Sequence, residues 1–473
     1  MRFTTFAGVA MGDIPRRLVD EMPSMLNEIE RLARQWFTDK MAVTGYMFDA
    51  DGDVVADPRY PHEPLLGPSA LTPEEAARPL RETWRELQSD LDMLRLHVER
   101  FYNLDPLDFT ILVGKIGGTV RRTPAVGGAT SVHDRIKDAY DEWFLPVDGM
   151  FNEKQWTGDA ATAFHNGFVK HFHAASEQQQ LYAWILAMTA QLYHDSVTVA
   201  HRRLLDIADV SLGQLAGGTA ATRQTYDVET LSWVSMVTAA LSVVPPVALA
   251  AGTFLGWTSL LTGVGGYLRS KQEVPEDPVA IASGGAPQII QSALNKVLAV
   301  EETLTGIGDE VATALGRDLD SPTGFDNPEL RLERPGLADG PGDMKGMTID
   351  NDSAMNNDVV VAVADVYKAG YVNLPGAAGQ YAEAKAKLAS CDLSGAAYTY
   401  FGRSVQVFVE ARDMLVNILG NVSESLTDCG ETLVAVATDY QLTDQESAAY
   451  LQRIDGLAQP TFDTPGTPRT GAV

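Results

Sequence analysis

The sequence predicts a mainly α-helical protein: an elongated bundle of two helical hairpins, with an apolar helical insert and one small β-hairpin near the N-terminus. Three observations point there. Apolar residues recur three and four positions apart over most of the chain. A turn at Gln155–Phe164 opens onto a very long stretch of that periodicity, and a comparable turn at Leu393–Phe401 opens onto another.

Taken in order, residues 1–124 read as a mostly helical region. Pro15 and Pro23 mark two helix starts, followed by Met25, Leu26, Ile29, Leu32, Ala33 and Trp36 at helical spacing. Tyr46–Phe48 and Val54–Val55 flank Asp51-Gly52, the signature of a tight β-hairpin. The aspartates there do not have the ligand spacing of a calcium loop, because Gly52 falls too early and no Glu closes the series. Thr72-Pro73-Glu74-Glu75 combines a capping Thr with a first-turn Pro, and the helix it starts runs through Trp84, Leu87, Leu91, Leu94 and Val98 to about Tyr102. Phe109–Val113 is a short apolar run, and Gly114–Thr119 reads as a loop without the spacing of a phosphate-binding loop.

Residues 125–228 form the first hairpin. Val132, Ile136, Tyr140 and Phe144 line its first arm, from about Ser131 to Met150. Trp156-Thr157-Gly158 makes the reversal, with Gly158 supplying backbone freedom and Asp159 an N-terminal cap. Phe164, Phe168, Phe172, Tyr182, Leu186, Tyr193, Val197 and Leu204 line the second arm, which would be about 75 Å long at about 1.5 Å per residue.

Residues 229–270 differ in kind. From Thr230 to Leu268 no charged side chain occurs, and Trp233, Val237, Leu241, Phe254, Trp257 and Leu261 are its large apolar residues. Leu231–Ala251 is long enough to cross a hydrocarbon core of roughly 30 Å, but Pro245-Pro246 interrupts it and the rest is short and glycine-rich. Two readings fit: a buried helical hairpin, or a segment that oligomerises or enters a membrane. Residues 271–315 carry a helix from about Gln288, and 316–354 form a Gly/Pro/Asp-rich linker.

Residues 355–455 form the second hairpin, its first arm broken at Gly370–Gly379 and its second running from Val405 to Tyr440. Phe401 follows Gly395 at the spacing with which Phe164 follows Gly158, consistent with an internal duplication. Residues 456–473 read as a disordered tail.

Trp156-Thr157-Gly158 between two amphipathic helices resembles the WXG superfamily, the helical hairpins exported by bacterial type VII (ESX) secretion systems. Tyr440-Gln441-Leu442-Thr443-Asp444 matches that family's Tyr-x-x-x-Asp/Glu export signal and stands where it belongs, after the second arm of a hairpin. The first hairpin has the Trp but not the Tyr signal; the second has the Tyr signal, with Leu393 at the place of the Trp. The chain therefore resembles a fusion of the paired Esp-type secretion-associated proteins of mycobacteria. The resemblance covers about residues 125–270 and 355–455. It implies a non-enzymatic secreted or cell-envelope protein whose composite signal is Trp156, Gly158, Tyr440 and Asp444, with a type VII secretion ATPase or chaperone as partner.

The remaining chemistry is consistent with that expectation. The chain has 63 acidic against 36 basic side chains, a net charge of −27, which opposes attraction to nucleic acid or anionic lipid. Met1–Phe6 lacks the charged and apolar regions of a secretory signal peptide. His165, His171 and His173 lack metal-ligand spacing, and His194-Asp195 and His201 read as surface charge decoration. No metal or cofactor is expected. Cys391 and Cys429 would be about 50 Å apart along a helix, too far for a disulfide. Two alternatives stand: a membrane-active or oligomeric envelope protein using residues 230–268, or a toxin with a catalytic domain within 1–124.

Overall fold

The computed structural model describes residues 13–49, 52–59, 73–117, 131–152, 156–157, 159–217, 281–282, 284–321, 324–325, 327, 330, 332 and 363–439. These are mainly helical, with one two-stranded antiparallel sheet.

The chain opens with α1 (Asp13–Thr44), one helix that carries Pro23 inside it rather than the two helices expected. An internal Pro removes a hydrogen bond at a cost of about 3 kcal/mol. Burial of Met22, Leu26, Ile29, Ala33, Phe37 and Met41 along one stripe offsets that loss and holds the helix together. β1 (Tyr46–Phe48) and β2 (Val54–Ala56) pair with Tyr46 opposite Ala56 and Phe48 opposite Val54, as the Asp-Gly signal predicts. Gly52 takes φ +81°, a left-handed conformation that favours glycine, and the Asp49 carboxylate accepts the Asp53 N–H at 2.8 Å. That aspartate thus shapes the turn.

α2 (Pro73–Glu99) passes into a 3-10 turn at Arg100–Asn103. α3 (Pro106–Gly117) takes in Gly114-Lys115-Ile116-Gly117, which the sequence reading assigns to a loop. Leu112, Val113 and Ile116 are buried on this helix, and their packing outweighs the low helix propensity of the two glycines.

α4 (Val132–Asp138) starts at Ser131, whose hydroxyl accepts the Asp134 N–H while the Asp134 carboxylate accepts the Ser131 N–H. A π turn at Ala139–Phe144 joins it to α5 (Leu145–Asn152), so the helix continues through Pro146 and Gly149. After the Trp156 reversal come α6 (Asp159–Phe164), a second π turn at His165–Val169, and α7 (Lys170–Leu215). The long periodic stretch of the sequence is one helical path.

α8 (Ala286–Leu319) runs past Gly316. Beyond it the chain is not a bare linker: Phe325 and Leu330 are fully buried, and the Phe325 ring lies 4.0 Å from that of Tyr182. α9 (Val363–Lys368), a third π turn at Ala369–Asn373 and α10 (Leu374–Ala389) follow one another without the break expected at Gly370–Gly379. α11 (Gly395–Phe401) ends at Gly402, φ +43°, and α12 (Arg403–Asp439) closes the described chain.

The chain divides into two compact units, each assembled from three separated segments. Residues 1–113, 187–319 and 392–410 make the first; residues 114–186, 320–391 and 411–473 make the second. Helices α7 and α12 each contribute residues to both.

The first unit has two aromatic centres. Phe37, Phe48 and Trp84 meet at 4.6–6.1 Å where α1, β1 and α2 come together. Tyr193 of α7 lies 4.5 Å from Phe401, with Phe109 and Phe408 beside it, and its hydroxyl donates to Ser404 Oγ at 2.9 Å. Gly308 lets α8 approach the Phe401 backbone so closely that a Cβ there would stand 3.0 Å from the carbonyl oxygen.

The second unit packs α4–α5, the α6–α7 path as far as Leu186, α9–α10 and the later part of α12. Gly376 admits the Trp143 ring, since a Cβ at Gly376 would lie 2.0 Å from it. Gly370 and Gly430 let α12 cross the third π turn at backbone contact. Gln179 satisfies two buried groups, donating to the Leu330 carbonyl at 2.8 Å and accepting from the Tyr381 hydroxyl at 2.7 Å. Cys391 and Cys429 are both buried, and no disulfide joins them.

Candidate functional site

The reversal at Trp156 is built as an aromatic ladder. Trp156 is 2% exposed, and its ring lies 5.7 Å from Phe151 and 5.8 Å from Phe164. Phe164 continues to Phe168 at 5.5 Å, Phe168 to Phe172 at 6.2 Å, and Phe172 to Phe144 at 3.8 Å and Tyr381 at 6.0 Å. The ladder follows from the spacing of Phe164, Phe168 and Phe172, which stacks large side chains along one face. Placing Trp156 against it fixes how the two arms leave the turn.

The Trp156 indole N–H is buried with no hydrogen-bond partner. An unpaired buried donor costs roughly 1–3 kcal/mol, so apolar packing rather than polar anchoring holds this side chain. His165 sits half-buried at the rim, 5.0 Å from the Phe151 ring.

Of the sequence-predicted signal residues, Trp156 alone is described; Gly158, Tyr440 and Asp444 lie outside the described residues. The helix leading to the last two is described to Asp439. Its final turns meet the Ala369–Asn373 turn: a Cβ on Gly370 would stand 2.6 Å from the Gly430 carbonyl and 2.8 Å from Leu433 Cβ. The first hairpin meets that same turn from another side. Asn373 Nδ2 donates to the Trp143 carbonyl at 3.2 Å, and α5, which leads into the Trp156 reversal, packs along Ala369–Asn373. A π turn widens the backbone and frees a carbonyl, and two such turns facing each other supply this contact. The Trp156 arm and the end of α12 are thereby brought to one turn of α9–α10.

Sequence reading missed the surface beside this junction. Leu145 is 48% and Tyr371 36% exposed, and Tyr371 stacks on Tyr367 at 5.5 Å. The Tyr367 and Tyr371 spacing was the available signal, obscured by the glycines around it.

At the second hairpin the place of Trp156 is taken by Leu393, which is half-buried, and Ser394 offers the following helix no side-chain cap. Gly402 then breaks the helix where the first hairpin continues through a π turn. The local echo between the two turns is therefore one of spacing.

The apolar residues Trp233, Val237, Leu241, Phe254, Trp257 and Leu261 lie outside the described residues. Among the described residues no helix is long and apolar enough to cross a membrane, and no three His, Cys, Asp or Glu side chains group as metal ligands.

The histidines divide. His171 and His173 are exposed. His194 and His201 are not surface decoration: they are 7% and 2% exposed. His194 Nδ1 lies 2.8 Å from Asp195 Oδ1, which also accepts from Gln191. From Tyr182 to Ala208 most positions of α7 are buried, and the charge this segment carries sits at partly exposed positions such as Arg202, Arg203 and Asp206 rather than at His194 and His201.

Comparison of the chain with family models, with curated proteins and with solved structures returned no match.

Proposed function

We propose that this chain is a non-enzymatic substrate of a bacterial type VII secretion system, exported through a composite signal of Trp156 and Gly158 with Tyr440 and Asp444. The observation that carries the reading is the junction at Ala369–Asn373. Both the arm leading into Trp156 and the last turns of α12 meet it, and Tyr440 follows Asp439 directly in the chain. An aromatic and an acid four residues apart in the sequence suit recognition by a secretion ATPase or chaperone, the Tyr as anchor and the Asp as charge. On this reading the buried Trp156 orders the turn from within rather than touching the partner.

The test is secretion from a host carrying an ESX system, scored as the exported fraction of an otherwise stable protein. Tyr440→Ala combined with Asp444→Ala is expected to leave the protein folded and in the cell. Secretion at the unaltered level would overturn the proposal.

A further inference from the structure

The interior of the first unit holds two histidines where α2, the Arg100–Asn103 turn, α7, α8 and α11 converge. His97 of α2 places Nδ1 2.9 Å from Glu301 Oε2 of α8, and both are largely shielded from solvent. His201 of α7 is 2% exposed, and its ring meets Phe101, in the Arg100–Asn103 turn, edge-on at 6.4 Å. Phe101 in turn packs 4.6 Å from Tyr400 of α11. Neither ring nitrogen of His201 has a partner within hydrogen-bond geometry, and Glu301 Oε1 and the Tyr400 hydroxyl are likewise buried and unpaired.

A neutral imidazole is tolerated in such a site; an imidazolium is disfavoured, because burial removes its hydration and the Phe101 and Leu104 carbonyls nearby replace only part of it. The charged and titratable groups around this seam are Asp105 beyond the turn, His97 and Arg100 on the α2 side, Glu301 on α8, Tyr400 on α11, and Arg202 and Asp206 on α7 itself. Burial holds the His201 imidazole down to about 4, against the opposing pull of the Phe101 and Leu104 carbonyls and the Asp105 carboxylate.

We propose that His201 is an acid-operated latch: protonating it in mildly acidic surroundings separates α7 from the Arg100–Asn103 turn and opens this seam, while the second unit keeps its packing. The direction follows from linkage. In the opened seam the imidazole returns to its ordinary value, so opening takes up a proton and is favoured as pH falls from about 6.5 toward about 4. Between pH 7.5 and 5.0 the open-to-closed ratio is expected to rise about thirtyfold from this one group.

Other carboxylates titrate in part of that window, so the experiment must single out His201. The full chain, with histidines isotopically labelled, is titrated by NMR, and amide hydrogen exchange is followed at pH 7.5 and 5.0 after correction for intrinsic rates. The expected result is that the His201 signal titrates only well below the ordinary imidazole range. Peptides spanning 100–105 and 197–206 should lose about thirtyfold in protection at pH 5.0, with 374–389 unchanged; in His201→Gln that acid-induced loss should vanish. An ordinary titration of His201 in the folded chain, or the same loss in His201→Gln, overturns the proposal. Should His201→Gln fail to fold, the titration and the wild-type exchange decide it.

Discussion

Replacing Gly370 with alanine tests how the last helix is held beside the first hairpin. Neither Gly370 nor Gly430 has a positive φ, so alanine is free to adopt either backbone conformation and the effect is steric alone. A Cβ at Gly370 would stand 2.6 Å from the Gly430 carbonyl oxygen, 2.8 Å from Leu433 Cβ and 2.9 Å from Val434 N. Ordinary contact begins at 3.4 Å, so α12 must move away by roughly 0.8 Å. None of the three obstructing atoms is the end of a flexible side chain, so the strain cannot be relieved by a rotamer change. A gap of that size forfeits about a quarter to a half of each dispersion contact along the crossing. Overpacking and lost contact together come to about 2–3 kcal/mol, a fall in Tm of about 5–10 °C for a unit of this size. Thermal unfolding followed by far-UV circular dichroism measures it. Gly316→Ala is the control: nothing lies within 4 Å of that position on α8, so removing a helical glycine should stabilise by about 0.5–1 kcal/mol. A Gly370→Ala chain melting at or above the parent would refute the crossing.

Tyr193→Phe removes the hydroxyl that donates to Ser404 Oγ in the first unit while Ser404 keeps its own bond to the Phe401 carbonyl, and should cost about 1–2 kcal/mol, read as a lower denaturant midpoint with an unchanged slope. An unaltered midpoint would show that this hydroxyl contributes nothing. Both thiols should be inert to a disulfide reagent in the native chain and react fully after denaturation, because Cys391 is 0% and Cys429 1% exposed; reaction of either under native conditions would contradict their burial.

What was legible in the sequence were features whose cause is local. The Asp-Gly hairpin and the Phe164–Phe168–Phe172 stripe are each decided within a few residues, and the structure carries both. The failures share a different cause. Gly114, Gly370 and Gly376 sit inside helices; the latter two are small because another backbone or the Trp143 ring occupies the space a side chain would take, a reason that lies far off in sequence. Phe325 and Leu330 look isolated in a Gly/Pro/Asp-rich stretch because their partners, Tyr182 and Gln179, are on the long helix. For His201 a signal was present, since it falls between Val197 and Leu204 on the apolar stripe of α7. Its polarity masked its position. At the candidate site, burial of Trp156 agrees with its expected role in the turn, whereas the facing π turns, which bring two arms to one place, have no sequence signature comparable to a cap or a periodic face.

The division of the chain among its units bears on how it is made. The first unit lacks its last segment until Glu410 has been synthesised, and the second gathers residues from Gly114 onward to beyond Ala411. A ribosome emitting residues in order therefore completes neither unit until most of the chain has emerged: α1, β1 and α2 can meet early, but the faces they turn to α8, and the face α4 turns to α10, wait for partners far downstream. Vectorial folding, domain by domain, is closed to this topology. A nascent chain of this kind presents a long window of exposed apolar surface to whatever cellular factor binds it first.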